Sequence, residues 1–185
     1  MRRAVVLLSV PWCATTARST SYDVRTAPFH PHVHTLGNVG VGGAVHSHLA
    51  PFATRLIDRR AYSGRDVRDE FARGLGSLHP TATSVLEIGC GTRLLTDALQ
   101  QEFDTVVGVD TSPQMITRAS GRSPMLACAN GVDAPRLFGP RSFDLVVAFM
   151  VFHEVPVDDG SAALLRAMHS TARREVWVVD IDPSY

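Results

Sequence analysis

The chain contains no lysine; all 18 of its basic residues are arginine. That excludes lysine Schiff-base and lysine general-base chemistry. Biased codon usage explains an all-arginine set better than selection at every site. The 18 acids balance the charge to zero, so no bulk attraction to nucleic acid or acidic lipid is implied. Cysteine is scarce and odd in number, at positions 13, 90 and 128. This excludes a disulfide scaffold and fits a reducing compartment. The early apolar run Ala4–Val10 is far too short to span a bilayer. There is no basic stripe with interleaved aromatics, no internal repeat and no low-complexity tract. What remains is 185 residues with 45% apolar and 19% charged content, the composition of one globular domain.

The first acid is Asp23, and two arginines precede the run Ala4–Val10. This is the composition of a targeting segment, and serine, threonine and arginine enrichment through Arg25 suits a transit peptide better than a secretory signal. The reading is therefore three-part: a targeting or disordered stretch over 1–25, an irregular histidine-rich lead-in with helices over 26–80, and a core over 81–185. The location is cytoplasmic, or plastid or mitochondrial if the leader is a transit peptide. A helix begins near Leu49, and a second runs from Asp66 to Leu78 with Val67, Phe71, Leu75 and Leu78 on one face.

From Ser84 the pattern alternates between strand and helix, as in a parallel sheet covered on both faces. Strands are expected at 84–88, 105–109, 125–129, 143–150 and 175–181, with helices at 92–103, 112–121 and 159–172. Right-handed crossovers give these five strands the order 3-2-1-4-5, an α/β doubly wound Rossmann-like sheet with a switch point between the first and fourth. Ligands bind there, beyond the carboxyl ends of the strands.

The run Val85-Leu-Glu-Ile-Gly-Cys-Gly-Thr92 ends an apolar strand in an acid and then opens a helix with glycines. Gly89 and Gly91 let the backbone turn sharply and approach a ligand. Asp110 closes the second strand, where its carboxylate can accept from two ribose hydroxyls. The dinucleotide fingerprint requires a third glycine where Leu94 stands, and a pyrophosphate would be repelled by Glu87. An NAD(P) oxidoreductase is disfavoured on both counts.

These residues resemble the class I S-adenosylmethionine-dependent methyltransferases of the small-molecule type. The resemblance covers roughly residues 50–182 and implies S-adenosylmethionine as methyl donor and a small organic acceptor. It implies donor contacts from Tyr62, Glu87, Gly89, Cys90, Gly91, Asp110, Thr111, Asn130, Gly131 and Phe149, with Asn130 near the adenine. Cys90 also reads as a small buried side chain, and Met115 as core. His153 is then a candidate base toward the acceptor, and Glu154 its orienting partner. Arg93 departs from the family, which usually has glycine there. Its guanidinium meets the donor carboxylate, points to solvent, or obstructs the pocket. Obstruction would make the chain a donor-binding pseudo-enzyme or interaction domain, the main alternative function.

The family normally continues into a C-terminal antiparallel hairpin that pairs with the fifth strand. Its lack here implies an incomplete core, with Val176-Trp-Val-Val179 as an exposed apolar edge through which copies can associate. His30, His32, His34, His46 and His48 cluster in the lead-in, and the first three share one face if extended. No further ligand constellation supports them, and no metal is assigned.

Overall fold

The computed structural model describes residues 4–11, 25–28, 66–119, 125–155 and 159–181. The helix expected near Leu49, Tyr62 and the five clustered histidines lie outside them. Strands β1 (Ala4–Pro11) and β2 (Arg25–Pro28) precede helix α1 (Val67–Leu78). Then come β3 (Ser84–Ile88), α2 (Leu94–Leu99), β4 (Thr105–Asp110), α3 (Pro113–Ala119) and β5 (Met125–Cys128). A 3-10 turn at Gly131–Asp133 leads into α4 (Ala134–Phe138) and β6 (Phe143–Phe149). A second 3-10 turn, Phe152–Glu154, precedes α5 (Asp159–Thr171) and β7 (Ala172–Ile181).

One seven-stranded sheet results, ordered β2-β1-β7-β6-β3-β4-β5. Strands β3 to β7 are parallel and give the expected order 3-2-1-4-5. The central strands are apolar on both faces, so they sit where helices cover both sides. Val85, Leu145 and Val147 pack with Ala72, Leu75, Leu95 and Leu99 on one face. Leu86, Val146 and Ala148 pack with Leu164 and Met168 on the other. Each fully buried aliphatic side chain contributes roughly 1.5–3 kcal/mol. At the amino end, the Asp144 carboxylate accepts from the amides of Thr83 and Ser84 at 2.8 and 3.2 Å, fixing β6 beside β3. Burial alone would raise its pKa, but those bonds and Arg174 hold it below the usual value.

The outer edge corrects the sequence reading. β7 is not open: β1 pairs with it antiparallel from Val5↔Ile181 to Pro11↔Glu175, and β2 pairs with β1 in turn. The apolar run with a leader's composition is a strand, and it occupies the place where the family's terminal hairpin was expected. Periodicity cannot distinguish these uses of a short apolar run; only the unpaired edge of β7 could have called for it. The short helix α4 was also missed, although Asn130 and Pro135 mark its start. No helix among the described residues is long and apolar enough to cross a membrane.

Deleting residues 1–28 uncovers β7. Concentration-dependent self-association by light scattering is expected from the shortened chain and not from the full one. Equal behaviour of the two would contradict the pairing.

Candidate functional site

A cavity of about 420 Å³ lies beyond the carboxyl ends of the parallel strands, at the switch point between β3 and β6. Gly89 and Gly91 line it from the first loop, Asp110, Thr111 and Ser112 from the second, and Ala129, Asn130 and Gly131 from the third. Met150, Val151, Glu154 and Val155 close it from the loop after β6, and Met115 and Leu164 from helices.

The glycine loop is shaped by its backbone. Gly89 and Gly91 have φ of 73° and 51°, in the left-handed region that favours glycine. A Cβ on Gly89 would fall 2.4 Å from Val151 Cγ2, so the loops after β3 and β6 touch there. The amides of Gly89 and Cys90 donate to Val109 O at 2.8 and 3.0 Å. The Gly91 amide donates to Asp110 Oδ2 at 2.8 Å, while the Ser112 amide donates to Oδ1 at 2.8 Å. Asp110 therefore ties the first two loops together, and each oxygen keeps a lone pair for a ligand.

Glu87 does not line the cavity. It is 3% exposed and accepts from the Thr96 hydroxyl at 2.5 Å. Burial pushes its pKa up to about 7, against the lowering effects of the Thr96 bond and of Arg68. The Arg68 guanidinium lies 5.2 Å from the centre of the Phe149 ring, which packs on the α1 face of the sheet. Phe149 and Glu87 thus turn to the α1 side of the sheet and do not line the cavity. Cys90 is buried in the core against Gly108, and burial raises its pKa. Asn130 lines the cavity, but its Oδ1 accepts from the Val132 amide at 3.1 Å and caps the following turn. Gly131 is required by packing, since a Cβ would meet Ile88 Cγ2 at 2.6 Å.

Arg93 takes none of its three sequence-based positions. It is left-handed at φ 69°, and its guanidinium turns away from the cavity to Asp97 and to the Ala119 carbonyl at 2.9 Å. The Asp97 contact is 2.7 Å. It fastens the glycine loop to the carboxyl end of α3, where the helix dipole favours a cation.

The structure places His153 and Glu154 at different depths relative to the cavity. Glu154 lines the cavity; His153 stands behind it, with Nε2 3.8 Å from Glu154 Oε1. The partner that orients His153 is Asp180, whose Oδ1 lies 2.7 Å from Nδ1. Burial alone would lower the His153 pKa, but the bond and charge of Asp180, with Glu154, raise it above the ordinary value. Asp180 was missed, although it sits at the carboxyl end of a parallel strand, the same signal that marked Asp110. Among the described residues no group of histidine, cysteine and acids is arranged to hold a metal.

The fold and crevice define a doubly wound α/β domain with a cavity at the switch point of its sheet. The chain matches the family model described as a methyltransferase domain over residues 55–184, and it belongs to that family. The motif resemblance is thereby borne out. It is similar to the uncharacterized methyltransferase sll0829 of a Synechocystis strain, 37% identical over 71 residues, covering 38% of this chain and 34% of that protein. Among solved structures it resembles CalS10 of Micromonospora echinaspora, an amino pentose methyltransferase solved with bound S-adenosylmethionine. That likeness has a TM-score of 0.53 at 20% identity and covers 60% of this chain and 48% of the other. It also resembles Streptomyces venezuelae DesVI, with a TM-score of 0.56 at 19% identity over 69% and 53% of the two chains. At these identities the likeness is one of fold. The chain spans 34% of the curated relative, and 48% and 53% of the two solved chains.

Two substitutions check the loop. Gly89→Ala is expected to weaken S-adenosylhomocysteine binding at least about tenfold by calorimetry, because it combines a disfavoured φ with a clash on Val151. Arg93→Gly is expected to change affinity less than about threefold. It relieves a left-handed penalty of roughly 1–2 kcal/mol and loses contacts of similar size. A large affinity gain would instead restore the obstruction reading.

Proposed function

We propose that this protein binds S-adenosylmethionine in the switch-point crevice and transfers its methyl group to a small organic acceptor. The observation that carries this reading is how the glycine-loop amides are used. In a dinucleotide site such amides face a pyrophosphate. Here the amides of Gly89, Cys90 and Gly91 are spent on Val109 O and Asp110 Oδ2, so they are not free for a phosphate and the Asp110 carboxylate stands beside them. A ligand with ribose hydroxyls and positive charge suits that lining; one with phosphates does not.

Asp110 would hold the ribose. The Asn130–Gly131 turn would border the adenine, and Glu87, buried toward the methionine end, would favour the cationic part of the donor. When bound, the donor supplies an electrophilic methyl on a sulfonium. The chain orients the acceptor in line with that methyl, which by itself can supply on the order of 7–11 kcal/mol. Glu154, at the cavity wall, and His153 behind it receive the acceptor's proton. Arg93, one of the two grounds for the alternative of an inactive donor-binding domain, does not line the cavity; donor binding without methyl transfer to any acceptor would select that alternative.

Glu87 gives a pH signature. Its folded pKa is raised above the unfolded value of 4.5 to about 7, so the folded chain binds the extra proton. Its burial therefore erodes stability as pH rises from 4.5 to about 7. A cationic ligand favours the carboxylate, so binding near neutral pH releases a proton. Calorimetry in buffers of different ionisation enthalpy should show S-adenosylmethionine binding with proton release in the wild type and none in Glu87→Gln. Labelled donor incubated with a metabolite panel then reports methyl transfer. Tight binding of NADPH, or no binding of the donor, would overturn the reading.

A further inference from the structure

The end of β7 controls the loop after β6. Four consecutive amides of that loop are captured by two adjacent residues of β7. Met150 N donates to Val179 O at 2.6 Å, and the amides of Val151, Phe152 and His153 all donate to Asp180 Oδ2, at 2.9, 2.5 and 3.3 Å. Asp180 is 7% exposed, and its other oxygen, Oδ1, meets His153 Nδ1. Met150 is held left-handed at φ 59°, a conformation disfavoured for methionine and maintained by these bonds. The same loop presents Val151 against Gly89 and Glu154 to the cavity.

We infer that Asp180 is a positioning residue for methyl transfer: it sets the crevice width by holding Val151 against the donor loop, and it keeps a proton on His153 Nδ1 so that Nε2 faces Glu154 at the acceptor wall. The inference rests on the methyltransferase reading and adds an atom-level role to it. A carboxylate has no proton to donate, so a neutral His153 hydrogen-bonded to it must carry its proton on Nδ1. Nε2 is then the nitrogen that titrates. In the reaction the acceptor atom bonds to the methyl carbon and the carbon–sulfur electron pair returns to sulfur. The acceptor's proton passes to the Glu154–His153 pair and on to solvent. Among the described residues, the charged groups facing the ring include Asp180 from β7 and Glu154 from its own turn.

Two variants separate the parts of the role. In Asp180→Asn the amide oxygen can still accept from the loop amides, but the NH₂ group faces Nδ1, which must then act as acceptor. In ¹⁵N-histidine-labelled protein at pH 9, with the His153 signal assigned by its loss in His153→Gln, the wild type should show a protonated Nδ1. Asp180→Asn should show the proton moved to Nε2 and a lowered His153 pKa, with S-adenosylhomocysteine affinity within about threefold of wild type. Asp180→Ala releases the loop as well and should weaken that affinity at least about tenfold. An unchanged tautomer in Asp180→Asn, or wild-type affinity in Asp180→Ala, would overturn the inference. If Asp180→Ala does not fold, the asparagine variant decides by itself. Absence of S-adenosylhomocysteine binding to the wild type would instead sink the methyltransferase reading, so the two failures are distinguishable.

Discussion

A carboxylate accepting from the amides of a neighbouring loop is the interaction on which the carboxyl edge of this sheet depends. Loops that leave parallel strands carry N–H groups without ladder partners, and a buried amide left unpaired costs about 1–3 kcal/mol. Here acids at strand ends meet that need. Asp110 takes the amides of Gly91 and Ser112, and Asp180 takes three from the loop after β6. Asn130 does the same for its own turn through a side-chain carbonyl. Because each acid reaches a loop from a strand of the rigid sheet, the cavity walls inherit the sheet's geometry.

This arrangement explains how one site accommodates several negative groups. Glu87 relieves its burial by holding a proton more tightly and Asp180 by amides together with His153, while half-buried Asp110 is tied by backbone bonds. The three solutions differ in what a ligand can do to them. A cation entering the crevice would act on the proton that burial leaves on Glu87. The oxygens of Asp110 and Asp180 are already held in place by backbone amides.

Much of this was legible in the residues. Continuous apolar strands, glycines after the first and acids at the ends of the first two gave the strand order, the crevice and Asp110. What could not be read was which partner each polar side chain would take. His153 and Glu154 are adjacent in sequence, but the turn Phe152–Glu154 places one against the cavity and the other against β7. Arg93 occupies a backbone position that suits glycine, and only the nearness of Asp97 and the end of α3 shows where its charge goes. The first strand was illegible for a different reason. One of its two partners, β7, is nearly the whole chain away, and local composition carries no record of a neighbour that distant.

That separation has a consequence for how the chain comes together. β1 is made well before its partner β7, so during synthesis the apolar run Ala4–Pro11 has, among the described strands, only β2 to pair with until Ala172–Ile181 has emerged. Val6 lies opposite Asp180 in that late pairing, so the chain's beginning docks beside the carboxylate that anchors the loop after β6. Pairings so remote in sequence are slow to form, which makes closing this edge a natural last step of folding.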